Sequence, residues 1–341
     1  MRWFRLFCVL GIGTLVGGAG ILYWAYNALS TPLQRTEPTL ITVAPGQAFA
    51  HVARDLFERG VIKNPKLLRY YAVITQQAAR VQAGEYEIPV DVSARDVLQQ
   101  LVAGDVTQYA FTIVEGLTVS QMLVSLRQHP KLQNTSSGLD EAKLMALLGK
   151  ANVSPEGQFL ADTYHFPAGT SALELLNRAH TALGDALAEE WQQRAVGVPL
   201  ATPYEALILA SIIEKETGVA EEREKIAGVF SRRLQRGMRL QTDPTVIYGL
   251  GDAYQGNLTR RHLKQDTPYN TYMRRGLPPT PIALVGRASI QAALQPEQAS
   301  TLYFVAKGDG SHFFSDTLEQ HNRAVRQYQL NRANNYRSSP K

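Results

Sequence analysis

Hydrophobic and polar positions divide the 341-residue chain into an uncharged start, a short alternating stretch and a long helical second half. From Leu6 to Leu29 no residue carries a charge, a longer run than the ~20 residues a helix needs to cross the membrane core. Arg2 and Arg5 precede it, and Tyr23, Trp24 and Tyr26 lie at its far end as an interfacial belt. The pattern predicts a transmembrane helix over 6–29, with residues 1–5 cytoplasmic. A cleaved signal peptide is the rival, but the run is long for one and no small-x-small cleavage site follows it. Residues 30–38, with two prolines, read as a linker.

Beyond the linker the period changes. Leu40 to Val43 alternates as a strand, Pro45-Gly46 makes a turn, and Phe49, Val52, Ala53 and Leu56 recur at helical spacing up to a stop at Gly60. A second helix, a strand over Gln82 to Ile88 and a helix capped by Ser93 complete a small α+β module over 39–105. The opening pattern returns weakly from Phe111 to Leu126: Thr112-Ile113-Val114 leads to Gly116, then to a helix capped by Thr118 or Ser120. Residues 106–150 thus form a second strand-turn-helix unit joining the module to a larger mixed α+β domain over 151–330. The polar tail spans 331–341. The fold class predicted is α+β.

Composition narrows the chemistry. Cys8, inside the apolar run, is the only cysteine, which excludes intrachain disulfides and Cys-based zinc sites. His312, Glu319 and His321 match no common metal-ligand spacing, so neither metal nor cofactor is expected. A net charge of +5 suits an anionic partner. The arginine pairs Arg232-Arg233, Arg260-Arg261 and Arg274-Arg275 lack the interleaved aromatics of a nucleic-acid surface, and no nucleic acid is expected.

One segment points to catalysis. Pro203 to Thr217, capped by Thr202, is apolar nearly all round and therefore reads as a buried helix, yet its last turn holds Glu214 and Glu216. Glu214 shares a face with Leu207, Ala210 and Ser211, and Glu216 follows Leu209, Ile212 and Ile213. A carboxyl at a buried helix end is desolvated and keeps its proton near neutral pH, as a general acid must. The competing reading is structural: a solvated helix end, or pairing with Lys215 or Arg223. Gln241 falls between two helices, where a sugar hydroxyl or amide can be gripped, while capping alone accounts for Asp243.

These blocks carry a resemblance. Ala210 to Thr217, Glu222-Arg223, Ala227 to Phe230, Arg233-Leu234 and Gly237 to Thr245 resemble the YceG-like endolytic murein transglycosylases. Glu156 to Phe166, Tyr269 to Tyr272, Gly276 to Ile282, Leu302 to Val305 and His312 to Asn322 extend the similarity over nearly the whole chain. Leu284-Val285-Gly286 departs from the family pattern, at positions expected to have no catalytic role.

The resemblance implies a membrane anchor, a LysM-like module and a catalytic domain outside the cytoplasm, held at the inner membrane. It also implies cleavage of the MurNAc-GlcNAc bond of nascent peptidoglycan strands to leave 1,6-anhydroMurNAc ends, which terminates strand growth. Peptidoglycan synthases become candidate partners. Glu214 maps onto the catalytic glutamate; Gln241, Asp243, Tyr269 and Asn270 are candidates for positioning the strand. Glu216 is a further candidate for substrate binding and the competing acid, its structural reading, a pair with Arg223, being favoured over direct chemistry, and Asp162 and Tyr164 either orient the site or pack a strand end. The alternative function is a non-catalytic, membrane-anchored glycan-binding scaffold for synthases.

Overall fold

A computed structural model of the chain describes the backbone of residues 2–133 and 139–330, and side chains from residue 16 to 329 within those limits. The predicted tail 331–341 and the side chains of Arg2 and Arg5 lie outside the described residues. The chain forms two compact units, 1–109 with 165–169, and 110–164 with 170–341. Among the described residues the architecture is mixed α+β, with many helices and three two-stranded sheets.

The first unit contains α1 (Arg2–Ser30), β1 (Thr39–Val43), α2 (Phe49–Glu58), α3 (Pro65–Ile74), β2 (Gly84–Ile88) and α4 (Ala94–Ala103). Alternation along β1 turns Ile41 and Val43 inward, and its antiparallel pairing with β2 sets Ile41 opposite Tyr86. Those strands pack with Val52, Leu56 and Leu68 of α2 and α3 and with Val97, Leu98 and Leu101 of α4. Ser93 caps α4 reciprocally with Asp96, as its sequence position predicts.

The end of α1 is tied into this unit. Leu29 is buried in its core, and the Arg95 guanidinium lies 4.8 Å over the Tyr26 ring. Further back along α1, Val16, Ile21, Leu22 and Trp24 are exposed. Among the described residues no helix is long and apolar enough to cross a membrane; residues 6–15 of the expected span lack described side chains.

The second unit takes in the end of β3 (Gln108–Thr112), then α5 (Val119–Arg127), α6 (Glu141–Leu147), the start of β4 (Thr163–Pro167), and α7 (Ala172–Gln192). There follow α8 (Pro203–Glu216), α9 (Arg223–Gln235), α10 (Asp243–Leu250), α11 (Arg260–Lys264), α12 (Arg287–Leu294), β5 (Tyr303–Ala306), β6 (His312–Ser315) and α13 (Leu318–Val325). Where β3 meets β4, the Thr112 and Thr163 hydroxyls are 2.9 Å apart.

Helix α8 is the axis of this unit. Every residue from Ala206 to Ile213 is buried, packed chiefly against α12 and α9. Each such Leu or Ile contributes about 1.5–3 kcal/mol. The Thr202 hydroxyl accepts the Glu205 N–H, so the cap expected from sequence starts the helix. Ser211 is the polar exception in the buried stretch, and it is satisfied: its hydroxyl donates to Ile208 O and accepts the Ile282 N–H at 3.0 Å.

Candidate active site

Residues two apart on a helix project about 200° apart around its axis, so the last turn of α8 sends Glu214 and Glu216 to opposite sides. Glu214 faces α9 and the start of α12, its side chain only 4% exposed. One oxygen accepts the Gly286 N–H at 3.1 Å, and the other lies 3.8 Å from Arg223 Nη2. The same guanidinium nitrogen is 3.6 Å from Glu115 Oε2.

Burial pushes the Glu214 carboxyl above its ordinary range; the nearby Ser289 hydroxyl opposes this, Glu115 pushes it further up, and the Gly286 N–H and Arg223 pull it down. Ser289 Oγ and Arg223 Nε are themselves buried without a hydrogen bond of ordinary geometry. The result is a carboxyl that holds its proton above the usual carboxylate range, with donors beside it that favour the ionised form once that proton leaves. Such a group can serve as an acid and then as a base.

Glu216 meets a different environment. Its carboxylate accepts the Thr242 hydroxyl. Burial raises it from an ordinary 4.5 to about 7, with Thr242 opposing, Asp243 adding and Arg233 opposing. The expected pairing with Arg223 is therefore corrected: Arg223 reaches Glu214 and Glu115, while Glu216 turns to Thr242. Helical phase specifies that the two glutamates diverge but not which neighbour each one meets.

The segment from Leu240 to Asp243 is shaped by Arg233. This buried guanidinium donates to Leu240 O at 2.8 Å and Leu302 O at 2.7 Å, and lies 5.1 Å over the Tyr303 ring. It also reaches Gln241 Oε1 at 3.4 Å. Gln241 is exposed and sits at φ 55°, a left-handed conformation unusual for a residue with a side chain. Its N–H is held by Thr271 O, and the next N–H, of Thr242, by Thr271 Oγ1. Thr242 is the N-cap residue of α10, but its hydroxyl serves Glu216 rather than the helix. Asp243 accepts the Tyr272 hydroxyl at 2.6 Å.

Two other candidates have structural duties. Asn270 is buried, its amide donating to His262 O, Leu263 O and Gln265 O while its oxygen accepts the Tyr272 N–H. Every polar atom of that side chain is used in stapling the loop. Tyr269 bonds through its hydroxyl to Thr280 at 2.8 Å and packs edge-on against Tyr248, ring centroids 5.0 Å apart. At the start of β4, Asp162 accepts the Thr163 N–H, and the Tyr164 hydroxyl donates to Leu160 O.

The histidines weighed as ligands are engaged elsewhere. His312 is buried against Glu222, Nδ1 to Oε2 2.7 Å, and His321 stacks on Tyr303.

Two participants around Glu214, Glu115 and Gly286, are not marked as such by the sequence, and a third is marked only in part. Glu115 lies 99 residues upstream by chain position, and no local period links it to α8. Arg223 is a pairing candidate for either glutamate by sequence, and it is Glu214 that it reaches. Gly286 was given no role, yet its N–H contacts the acid and its neighbours bind the same neighbourhood, Leu284 pairing with Gly116 and Leu117 and Val285 with Ala161. A carboxylate followed by glycine at the Glu115-Gly116 turn was the available signal.

Fold and site together define a mixed α+β protein with two desolvated carboxyls at the end of an apolar helix. Comparison places it: the YceG-like family model matches residues 41–327, and the chain belongs to that family. The endolytic murein transglycosylase of Bacillus subtilis (strain 168) is 32% identical over 334 residues, spanning 92% of this chain and 91% of that protein. The endolytic murein transglycosylase of Streptococcus pneumoniae serotype 2 is 26% identical over 332 residues, covering 87% of this chain and 60% of the pneumococcal protein. A crystal structure of a yceG-like protein from Listeria monocytogenes superposes with a TM-score of 0.52 at 30% identity, over 84% of this chain and 98% of that one.

Proposed function

We propose that the chain is a lytic transglycosylase that cuts within peptidoglycan glycan strands, with Glu214 as the single acid-base group. The observation carrying this reading is the desolvated Glu214 carboxyl, pushed up by burial and met by one backbone N–H and a shared guanidinium rather than a closed ion pair. Glu214 donates its proton to the glycosidic oxygen as the bond from the MurNAc anomeric carbon to that oxygen breaks. The 2-acetamido oxygen of the same sugar stabilises the cation. The Glu214 carboxylate then takes the proton of the 6-hydroxyl as that oxygen attacks the anomeric carbon. The product is a 1,6-anhydroMurNAc end, water is not consumed, and the carboxyl returns protonated. A second carboxylate acting as nucleophile is not needed, because the sugar supplies both nucleophilic groups.

Gln241, Asp243 and Tyr269 are the residues proposed to border the strand, Gln241 being exposed in a conformation fixed by Arg233 and Thr271. The run Leu6–Leu29 is proposed to anchor the chain in the inner membrane with its N-terminus inside. Exposed Val16, Ile21, Leu22 and Trp24 support this, since apolar side chains on an unpaired helix surface suit lipid. Residues 39–105 are proposed as a LysM-like glycan-binding module, 106–150 as the joining unit and 151–330 as the catalytic region. Tethered so, the enzyme would meet nascent strands and the synthases that make them.

The test is mass spectrometry of material released from purified sacculi by the full chain in lipid vesicles. The wild type is expected to release anhydro-ended fragments and Glu214→Gln none, with glycan binding retained. Binding without any such product from the wild type would instead favour the scaffold reading.

A further inference from the structure

Among the groups around Glu214, Glu115 is the one whose surroundings are built for it and whose role is unassigned. It sits on the turn between β3 and α5, and that turn is fastened on both sides. Gly116 N–H donates to Leu284 O at 2.9 Å and Leu284 N–H to Leu117 O at 2.7 Å. Lys215 Nζ donates to Gly116 O at 2.9 Å, and the Thr118 capping box with Gln121 begins α5 at once. The Val119 N–H is bound in turn by buried Glu156 at 3.2 Å. Glu115 is therefore presented by a fixed backbone.

The opposite wall makes room for it. Gly286 has φ −81°, which any residue can adopt. A Cβ there, however, would fall 1.9 Å from Glu115 Oε1, so the glycine leaves room for the carboxylate where it now lies. Arg223 then stands between two acids, 3.6 Å from the half-exposed Glu115 and 3.8 Å from the buried Glu214. Both separations exceed hydrogen-bond length; the guanidinium is shared and closed onto neither.

We propose that Glu115 is a positioning residue for the transglycosylase reaction, tethering Arg223 short of a closed ion pair with Glu214 and so setting the pH at which the acid gives up its proton. This rests on the reading of Glu214 as the catalytic acid. Other groups facing Glu214 are the Gly286 N–H and Ser289 hydroxyl at the start of α12. Lys215 is turned to Gly116 O, and Arg287 is occupied by Glu189 and Glu190 at 2.7 and 2.8 Å. Removing the Glu115 charge acts twice in one direction. It withdraws a negative charge that favours protonated Glu214, and it frees Arg223 to approach and favour the ionised form.

The experiment is the pH dependence of kcat/KM for anhydro-product release by the full chain in vesicles, paired with carbon-13 NMR titration of the Glu214 carboxyl. In Glu115→Gln the alkaline limb is expected to move down by about one pH unit, giving about tenfold less activity at a fixed pH on that limb. Activity should recover on acidification. Arg223→Gln is expected to move the limb upward, the double variant to return toward wild type, and Glu115→Asp to shift less than Glu115→Gln. A loss in Glu115→Gln by one factor at every pH, or an unmoved Glu214 titration, would overturn the proposal. The NMR arm separates the two readings: a displaced titration with no anhydro product from the wild type would leave the Glu115–Arg223 coupling standing and sink the transglycosylase.

Discussion

The two sides of the last turn of α8 make a controlled comparison, because the same helix, two residues apart, presents a carboxyl to each. Both groups are raised chiefly by burial. On the Glu216 side the carboxyl is engaged by the Thr242 hydroxyl behind a segment that Arg233 and Thr271 pin in place. On the Glu214 side the contacts are a single backbone N–H, a guanidinium at 3.8 Å shared with a second acid, and a buried hydroxyl without a proper partner. Desolvation alone thus does not mark a catalytic acid. What separates the two is the kind of neighbour: Glu216 meets a threonine hydroxyl, whereas Glu214 meets a backbone N–H and a guanidinium shared with a second acid.

Substitutions should break this comparison in a graded way. The largest effect belongs to Glu214→Gln, which is expected to lower the rate of anhydro-product release by at least about 10²–10⁴-fold, the ordinary range for general acid-base help, with little change in melting temperature. Next is Asn270→Ala, which strips the amide from three loop carbonyls and should destabilise the fold by about 1–3 kcal/mol in chemical denaturation. Because its loop supports Thr242 through Thr271, activity should fall in step with stability rather than ahead of it. Gly286→Ala should cost about tenfold in rate by displacing Glu115, with circular dichroism melts close to wild type, since the half-exposed carboxylate can swing aside at a small cost in stability.

The smallest effect on catalysis should come from Glu216→Gln, whose signature is instead in stability. A carboxyl at 4.5 unfolded and about 7 folded binds more protons in the folded state between those values. Its contribution is therefore fully present below pH 4.5 and lost as pH rises through 7. At about 1.4 kcal/mol per pH unit the span is worth ~3 kcal/mol. Buried Glu156, also raised by burial to about 7, adds a second slope of the same sign. Glu216→Gln should flatten part of the fall in unfolding free energy across this window, as measured by denaturant titration at several pH values. An unchanged slope would show that Glu216 does not titrate there.

Much of this organisation is legible in sequence because it is local. The Thr202 cap, the all-round apolarity of α8, the inward alternation of β1 and the Ser93 capping box depend on residues within a turn or two of one another. The site is only half legible. Burial of the helix end was readable, but the identity of each carboxyl's partner depends on how α9, α12 and the β3–α5 turn close around it. The choice of glutamate for Arg223 is accordingly not readable, Glu115 carries no local signal linking it to α8, and Gly286 carries none because a glycine's contribution here is the space it leaves. Asn270 shows the converse: the sequence marks it as a polar residue in a motif but not the four hydrogen bonds that tie it to its own loop.

The central claim is that Glu214 carries its proton at pH values where an ordinary glutamate has lost it. Carbon-13 NMR of the side-chain carboxyls in the full chain, with the Glu214 signal assigned by its absence in Glu214→Gln, measures this without substrate. The account predicts a midpoint clearly above the ~4.3 of a solvated glutamate. A midpoint at or below that value would mean that Arg223 holds the carboxylate ionised, and no proton would be waiting for the glycosidic oxygen.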